Sequence, residues 1–329
     1  MVTTHNLGFP KSPIDRRQIQ SKTTEWQQQS DSNFLSLGCT GVKDPMVTMM
    51  DLLGHRSEYK HFKAYQDAQW FGSDVRCVTP EITQNTRFTL DAASLIKEIE
   101  QAKQQGLKVK PVIVGPITYL WFGEAKDGVN KLDLLESLLP VYADLLQALS
   151  DAGVEWVQLD EPVLSQELNE DWKHALLQAY FHLQRSPIKK LLACSFGKLG
   201  DNLGLLRELT VDGVHLDTIS ADDEALKVAD WLPNYKIISV AVVDSSRLTE
   251  TDFEDTLAWL KPIHELVGNR LWLAPSCSFT YLSEDESGSL LLDNAKQKLT
   301  DVKLLATALD KASVEIRDQG LEEVCKAAA

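Results

Sequence analysis

The chain reads as an α/β protein folded into a single (β/α)8 (TIM) barrel, on three observations. From residue 107 onward, short apolar runs of strand length alternate with amphipathic stretches of helix length. With two earlier runs the strand count reaches eight, the number at which parallel βαβ units close on themselves. Neither a Walker A nor a GxGxxG pattern occurs, so no phosphate loop marks an open nucleotide-binding sheet.

Residues 3–8 form the first expected strand, running into Phe9-Pro10. A polar helix follows to about Gln29, with Asp15 as N-cap and Arg16 and Arg17 in its first turn. Cations there oppose the helix dipole, a placement that makes sense facing an anion; two solvated arginines are the plainer reading. Phe34 to Gly38 is the second strand. The interval 39–108 is an elaborated helical excursion: an apolar helix from Asp44 to Gly54, a second from about Ser57 to Phe71 carrying Tyr59, Phe62, Tyr65 and Trp70, a break over Gly72 to Pro80, and a helix from Ala92 closed by Gly106.

Regular alternation then begins. Strands fall at 109–114, 154–159, 190–194, 214–216, 237–243 and 271–274. Between and after them the sequence predicts helices at 131–151, 171–184, 199–209, 221–231, 250–267 and about 289–319. One barrel over 1–320 with a tail over 321–329 accounts for the length.

Composition narrows the function classes. Hydrophobic residues at 43% and charged ones at 25% suit a water-soluble globular chain, and no apolar run nears the roughly 20 residues that span a bilayer. A formal net charge of −15 argues against nucleic acid, whose phosphates need a basic face. The cysteines at 39, 77, 194, 277 and 325 are odd in number and lack CxxC spacing. With no basic-then-apolar leader, they read as reduced thiols in the cytoplasm.

Chemistry is expected at the C-terminal strand ends. The stretch Val154–Leu164 places Asp160 and Glu161 where a strand breaks at Pro162. They are the candidate catalytic pair, and capping or ion pairing is the alternative. Cys194, Asp217 and Cys277 end later strands, and His5 and His215 lie in neighbouring ones. Such a rim could orient an amine-bearing ligand, act as general base, or hold zinc. For zinc the donors fall short, with no His-x-Cys spacing, and buried free thiols read more naturally.

Several segments resemble the amino-terminal half of cobalamin-independent methionine synthase: Leu7-Gly8-Phe9-Pro10, Lys110 through Trp121, Leu139-Pro140-Val141-Tyr142, Glu155 through Pro162 and Ser276-Cys277-Ser278. The resemblance spans nearly the whole chain and is specific over about 107–165. It implies a TIM barrel acting in methionine and one-carbon metabolism, in a family that moves a methyl group from a folate polyglutamate to homocysteine. In that family zinc and most homocysteine ligands sit on a second, carboxy-terminal barrel. The resemblance therefore implies a separate zinc-bearing barrel as partner, no cofactor on this chain, and little activity alone.

It further casts Arg16 and Arg17 as folate-tail ligands, while the barrel-rim reading makes His5, Cys194, Asp217 and Cys277 the candidate substrate-binding positions. Gln20 and Gln69 stand where the family's tail-binding lysines are expected. Losing two charge-assisted contacts of ~1.5–3 kcal/mol each weakens such a grip by about a hundredfold or more. Two other readings use the same barrel. One is a non-catalytic binding or scaffold module docking through Trp121, Phe122, Trp172 and Tyr281; the other is an independent lyase using Asp160 and Glu161.

Overall fold

A computed structural model describes residues 1–8, 33–38, 44–55, 67–73, 75–245, 250–279 and 294–312. In chain order the elements open with β1 (Thr3–Thr4), β2 (Leu35–Gly38), α1 (Pro45–Leu52), β3 (Asp67–Gln69), β4 (Arg76–Val78), β5 (Glu81–Ile82) and α2 (Ala93–Gln104). Next come β6 (Val109–Val114), α3 (Pro116–Phe122), β7 (Glu124–Ala125), α4 (Leu135–Asp151), β8 (Trp156–Asp160) and α5 (Glu170–Leu183). The rest are β9 (Lys189–Cys194), α6 (Leu205–Glu208), β10 (Gly213–Leu216), α7 (Asp222–Trp231), β11 (Ile237–Val243), α8 (Phe253–Val267), β12 (Leu271–Pro275) and a final helix, α9, over 294–312.

Eight parallel strands form one sheet in the order β1-β12-β11-β10-β9-β8-β6-β2. These are the eight runs read from the sequence. The seam between β1 and β2 is bridged: Asn33 N–H donates to the Thr4 carbonyl at 3.0 Å, Thr4 N–H to Asn33 Oδ1 at 2.9 Å and Ser36 Oγ to the Asn6 carbonyl at 3.1 Å. The sheet thus curls into a barrel with its edges joined.

The helices follow from local chemistry. Asp44 caps α1, its Oδ1 accepting from Met46 and Val47 N–H while Oδ2 takes Val78 N–H at 2.6 Å. Pro45 sits at N1, where a missing N–H costs nothing. In α4, Leu138, Tyr142, Leu145 and Leu149 recur at three- and four-residue spacing and are all buried. The Tyr142 hydroxyl donates to the Val114 carbonyl at 2.8 Å, tying α4 to the end of β6. Asn169 and Asp252 cap α5 and α8, and Gly106 (φ +78°) stops α2 as its sequence implies.

Within the excursion the expected helix over 57–71 is corrected in its last turn. Asp67–Gln69 is extended and pairs antiparallel with β4, pinned by Arg76 on Asp67 at 2.8 Å; the part before Asp67 lies outside the described residues. The aromatic at its end, Trp70, is core, fully buried against Phe71 and Phe122. The 199–209 helix is shorter than expected, a 3-10 turn (Gly200–Asn202) and then α6, because Gly200 and Gly204 interrupt it. Among the described residues no helix is long and apolar enough to cross a membrane.

Side-chain alternation divides the barrel interior into layers. At the bottom, Phe34, Trp156, Leu191 and Trp272 pack on one another, Trp156 and Trp272 with centroids 4.9 Å apart. Above them the interior turns polar, with Ser36, Lys110, Gln158, His5, His215 and Ser239 all buried. The main hydrophobic core lies outside the barrel wall, between strands and helices.

Candidate functional site

The mouth is formed by the strand ends; the segments leaving β1, β2, β11 and β12 are largely outside the described residues. Arg16, Arg17 and Tyr281 fall there, as do Gln20 and the tail over 321–329.

Asp160 ends β8 with its carboxylate in the mouth. Its Oδ1 accepts from Gln158 Nε2 at 2.7 Å, and Oδ2 accepts no hydrogen bond among the described residues. Burial raises the proton affinity of this carboxyl and the Lys110 ammonium lowers it.

Its neighbour Glu161 faces the other way, as adjacent strand positions must. The side chain is fully buried behind the barrel wall. Its Oε1 accepts from Ile117 N–H at 3.2 Å and the Tyr180 hydroxyl at 3.1 Å, and its Oε2 from Thr118 N–H at 2.7 Å. Burial pushes Glu161 up to about 7, against the Thr118 side chain and those three donors. The carboxylate thus ties the first turn of α3 to α5. An ideal Cβ on Gly115 would meet its Oε1 at 2.2 Å, so that glycine makes room for it.

The remaining candidates separate into three environments. Cys194 lies on the opposite face of β9 from Leu191, which lines the interior, so its thiol points into the helix layer with Leu192 and Leu216. The expectation that it joins the rim is corrected here: strand alternation turns it away. Asp217 accepts at Oδ2 from Phe196 N–H at 3.1 Å and Ser220 Oγ at 2.9 Å, and at Oδ1 from Ser220 N–H at 3.3 Å, forming a turn clamp. Cys277 is buried with its Sγ 3.2 Å from Ser245 Oγ, and burial pushes the thiol up to about 12.

His5 and His215 are brought together inside the barrel. His5 Nε2 and His215 Nδ1 both bond Ser239 Oγ, at 2.8 and 2.9 Å. Since one hydroxyl has one proton and two lone pairs, at most one of those two ring nitrogens accepts from it and at least one donates to it. Burial lowers both histidines, His215 to about 3, with Lys110 adding to the effect.

These donors do not fit zinc. Asp217 is engaged by three donors, Cys277 by Ser245, and Cys194 faces the other side of the wall. Among the described residues no three His, Cys, Asp or Glu side chains stand close enough to share a metal. The aromatics Trp121 and Trp172 meet edge to face at 4.9 Å, with Lys131 Nζ 5.6 Å from the Trp172 centroid. They and Phe122 are half-buried against the core.

Sequence reasoning passed over Lys110, Gln158, Ser239 and Tyr180 as site residues. For Lys110 a signal was present, a lysine inside the wholly buried strand Val109–Val114, since unpaired lysine is almost never fully buried.

The model of the cobalamin-independent synthase N-terminal domain matches residues 53–268. Among solved structures, a B12-independent methionine synthase from Shewanella sp. W3-18-1, in complex with selenomethionine, aligns at TM-score 0.70 and 14% identity, over 95% of this chain and 98% of that one. A putative B12-independent methionine synthase from Listeria monocytogenes aligns at 0.64 and 16% identity, over 94% and 99%. A methyltransferase from Methanosarcina mazei aligns at 0.63 and 13%, over 95% and 94%. At such identities the structures establish the shared barrel fold, and the matched model spans most of the chain. The chain belongs to the cobalamin-independent synthase N-terminal domain family.

Proposed function

We propose that this barrel works in methionine and one-carbon metabolism. In this reading it holds the ammonium group of a methionine- or homocysteine-like amino acid at Asp160, beside a separate chain whose barrel supplies zinc. The observation that carries the reading is Asp160 itself. A carboxylate at a strand end in the mouth, with Oδ1 held by Gln158 and Oδ2 accepting no hydrogen bond from a described residue, matches an ammonium donor in charge. Family membership supplies the metabolic context, and the donor set around Cys194, Asp217 and Cys277 supports placing zinc on another chain. The carboxylate of Glu161 holds α3 in this reading, and Gln20 and Gln69 stand where the resemblance expects the family's tail-binding lysines.

The role of this chain's residues follows from that arrangement. Asp160 binds and orients the amine, Gln158 fixes the carboxylate's rotation, and the apolar layer below closes the barrel to water. Zinc, when present on the partner, would supply thiolate activation. The test is calorimetric titration of the purified chain with L-methionine and L-homocysteine, together with a methyl-transfer assay with and without a zinc-bearing barrel chain. The expected result is amino-acid binding that Asp160→Asn abolishes, and transfer only when both chains are present. Methyl transfer by this chain alone with one zinc per chain would overturn the two-chain reading.

A further inference from the structure

Directly beneath Asp160 lies a buried cation. Lys110 is fully buried in β6, at the interior level of Ser36. Its Nζ donates to Gln158 Oε1, and the same Gln158 amide donates from Nε2 to Asp160 Oδ1 at 2.7 Å and to the Leu7 carbonyl at 3.1 Å. The amide has one tolerable orientation. Flipped, it would aim its NH2 at an ammonium and its oxygen at a carboxylate and a carbonyl.

Among the described residues, the other titratable groups near this unit are engaged elsewhere, Cys277 after β12 with Ser245 and Asp244 after β11 beside Lys298. His5 from β1 and His215 from β10 are locked through Ser239, and Lys110 disfavours their charged forms. Asp217, beyond the end of β10, is held in its turn clamp, and Glu161 points behind the wall to α3. Among the described residues, what remains in the throat is one cation and one anion joined by a polarised amide. A positive charge drawing on Oε1 strengthens the Nε2 donors, an effect that low dielectric enlarges.

We propose that Lys110, acting through Gln158, is the positioning residue that orients Asp160 and keeps it ionised for the ammonium group of an amino-acid ligand. This rests on the reading of Asp160 as the amine-holding group. Burial disfavours each charge alone, and each counters that effect in the other. Removing Lys110 therefore changes when Asp160 ionises, while the ligand's own ammonium also loses a nearby like charge. The two effects oppose one another across the pH scale. Binding weakens where Asp160 is now protonated, about tenfold per pH unit, and recovers where it is not.

The experiment is titration of L-methionine into wild type, Lys110→Met, Lys110→Arg, Gln158→Leu and Asp160→Asn from about pH 6 to pH 9. It is paired with carbon-13 NMR titration of the Asp160 carboxyl without ligand. Lys110→Met and Gln158→Leu are expected to bind at least about tenfold more weakly at the acidic end. Both should converge on or exceed wild type at the alkaline end, and Lys110→Arg should restore most of the wild-type profile. The Asp160 midpoint should rise by about one pH unit or more in Lys110→Met. A loss uniform across pH, or an unchanged profile, overturns the proposal. If wild type binds no amino acid, or Asp160→Asn binds unchanged, the reading of the mouth fails. The NMR midpoint then decides the Lys110 relay alone, and an unshifted midpoint overturns it.

Discussion

Replacing Glu161 separates a structural carboxylate from a catalytic one. In Glu161→Ala the N–H groups of Ile117 and Thr118 and the hydroxyl of Tyr180 lose their acceptor in a site with no solvent access. Each abandoned buried donor costs about 1–3 kcal/mol, and the truncated side chain leaves a cavity. Because the three share one acceptor their costs do not simply add, and a total of about 4 kcal/mol is expected. Glu161→Gln keeps the shape and one carbonyl acceptor but turns an NH2 on the remaining donor, for about 1–2 kcal/mol. Urea unfolding followed by far-ultraviolet circular dichroism measures both. The pH dependence gives a second check. A folded-state value raised to about 7 from 4.5 means the folded chain binds the proton more readily. This contribution to stability is complete below about pH 4.5 and is lost as pH rises through 7, by about 3 kcal/mol across the window. In Glu161→Gln that slope should vanish, so the gap from wild type narrows toward neutral pH. A Glu161→Ala chain destabilised by less than about 1 kcal/mol, or one that keeps its stability while losing L-methionine binding, would refute the assignment to structure.

Three further outcomes are expected. Gly115→Ala, whose new Cβ would stand 2.2 Å from Glu161 Oε1, should cost about 2–4 kcal/mol, and a double-mutant cycle should show that cost shrinking when Glu161 is already alanine. Asp44→Ala removes the α1 cap and leaves Val78 N–H without its 2.6 Å acceptor; about 2 kcal/mol should be lost in urea melts, with ligand binding at the mouth unchanged. Cys77, Cys194 and Cys277 are buried, and burial raises their proton affinity. Iodoacetamide labelling with peptide mass mapping should therefore find all three protected in the native chain and reactive in denaturant; native labelling of Cys194 would place it back at the rim.

Seven of the eight strands were legible because each is a short apolar run bounded by glycine, proline or a helix pattern, whereas β1 lies in the largely polar stretch 3–8. The six from Val109 onward lie at intervals that only βα units fill. Most helices were legible for the same reason, through stripes such as Leu138, Tyr142, Leu145 and Leu149. The Ser57–Phe71 helix failed at its end because Asp67–Gln69 owes its extended form to a partner strand seven residues beyond it, which periodicity within the segment cannot register. The positions of Asp160 and Glu161 at a strand end were likewise readable from Pro162.

Which of those two carboxylates enters the mouth was not. Alternation says that neighbours point to opposite faces and leaves open which face is inside. That is decided by the curl of the whole sheet. The curl turns Asp160 toward Gln158 and Lys110, and Glu161 toward Ile117, Thr118 and Tyr180. It likewise sends Cys194 into the helix layer while His5 and His215, 210 residues apart, meet on one serine. Sequence alone determined the eight barrel strands, most of the helices and their order, because local periodicity and turn chemistry suffice for those. The electrostatics of the throat belong to the tertiary structure, because they depend on charges that only barrel closure brings within hydrogen-bond reach.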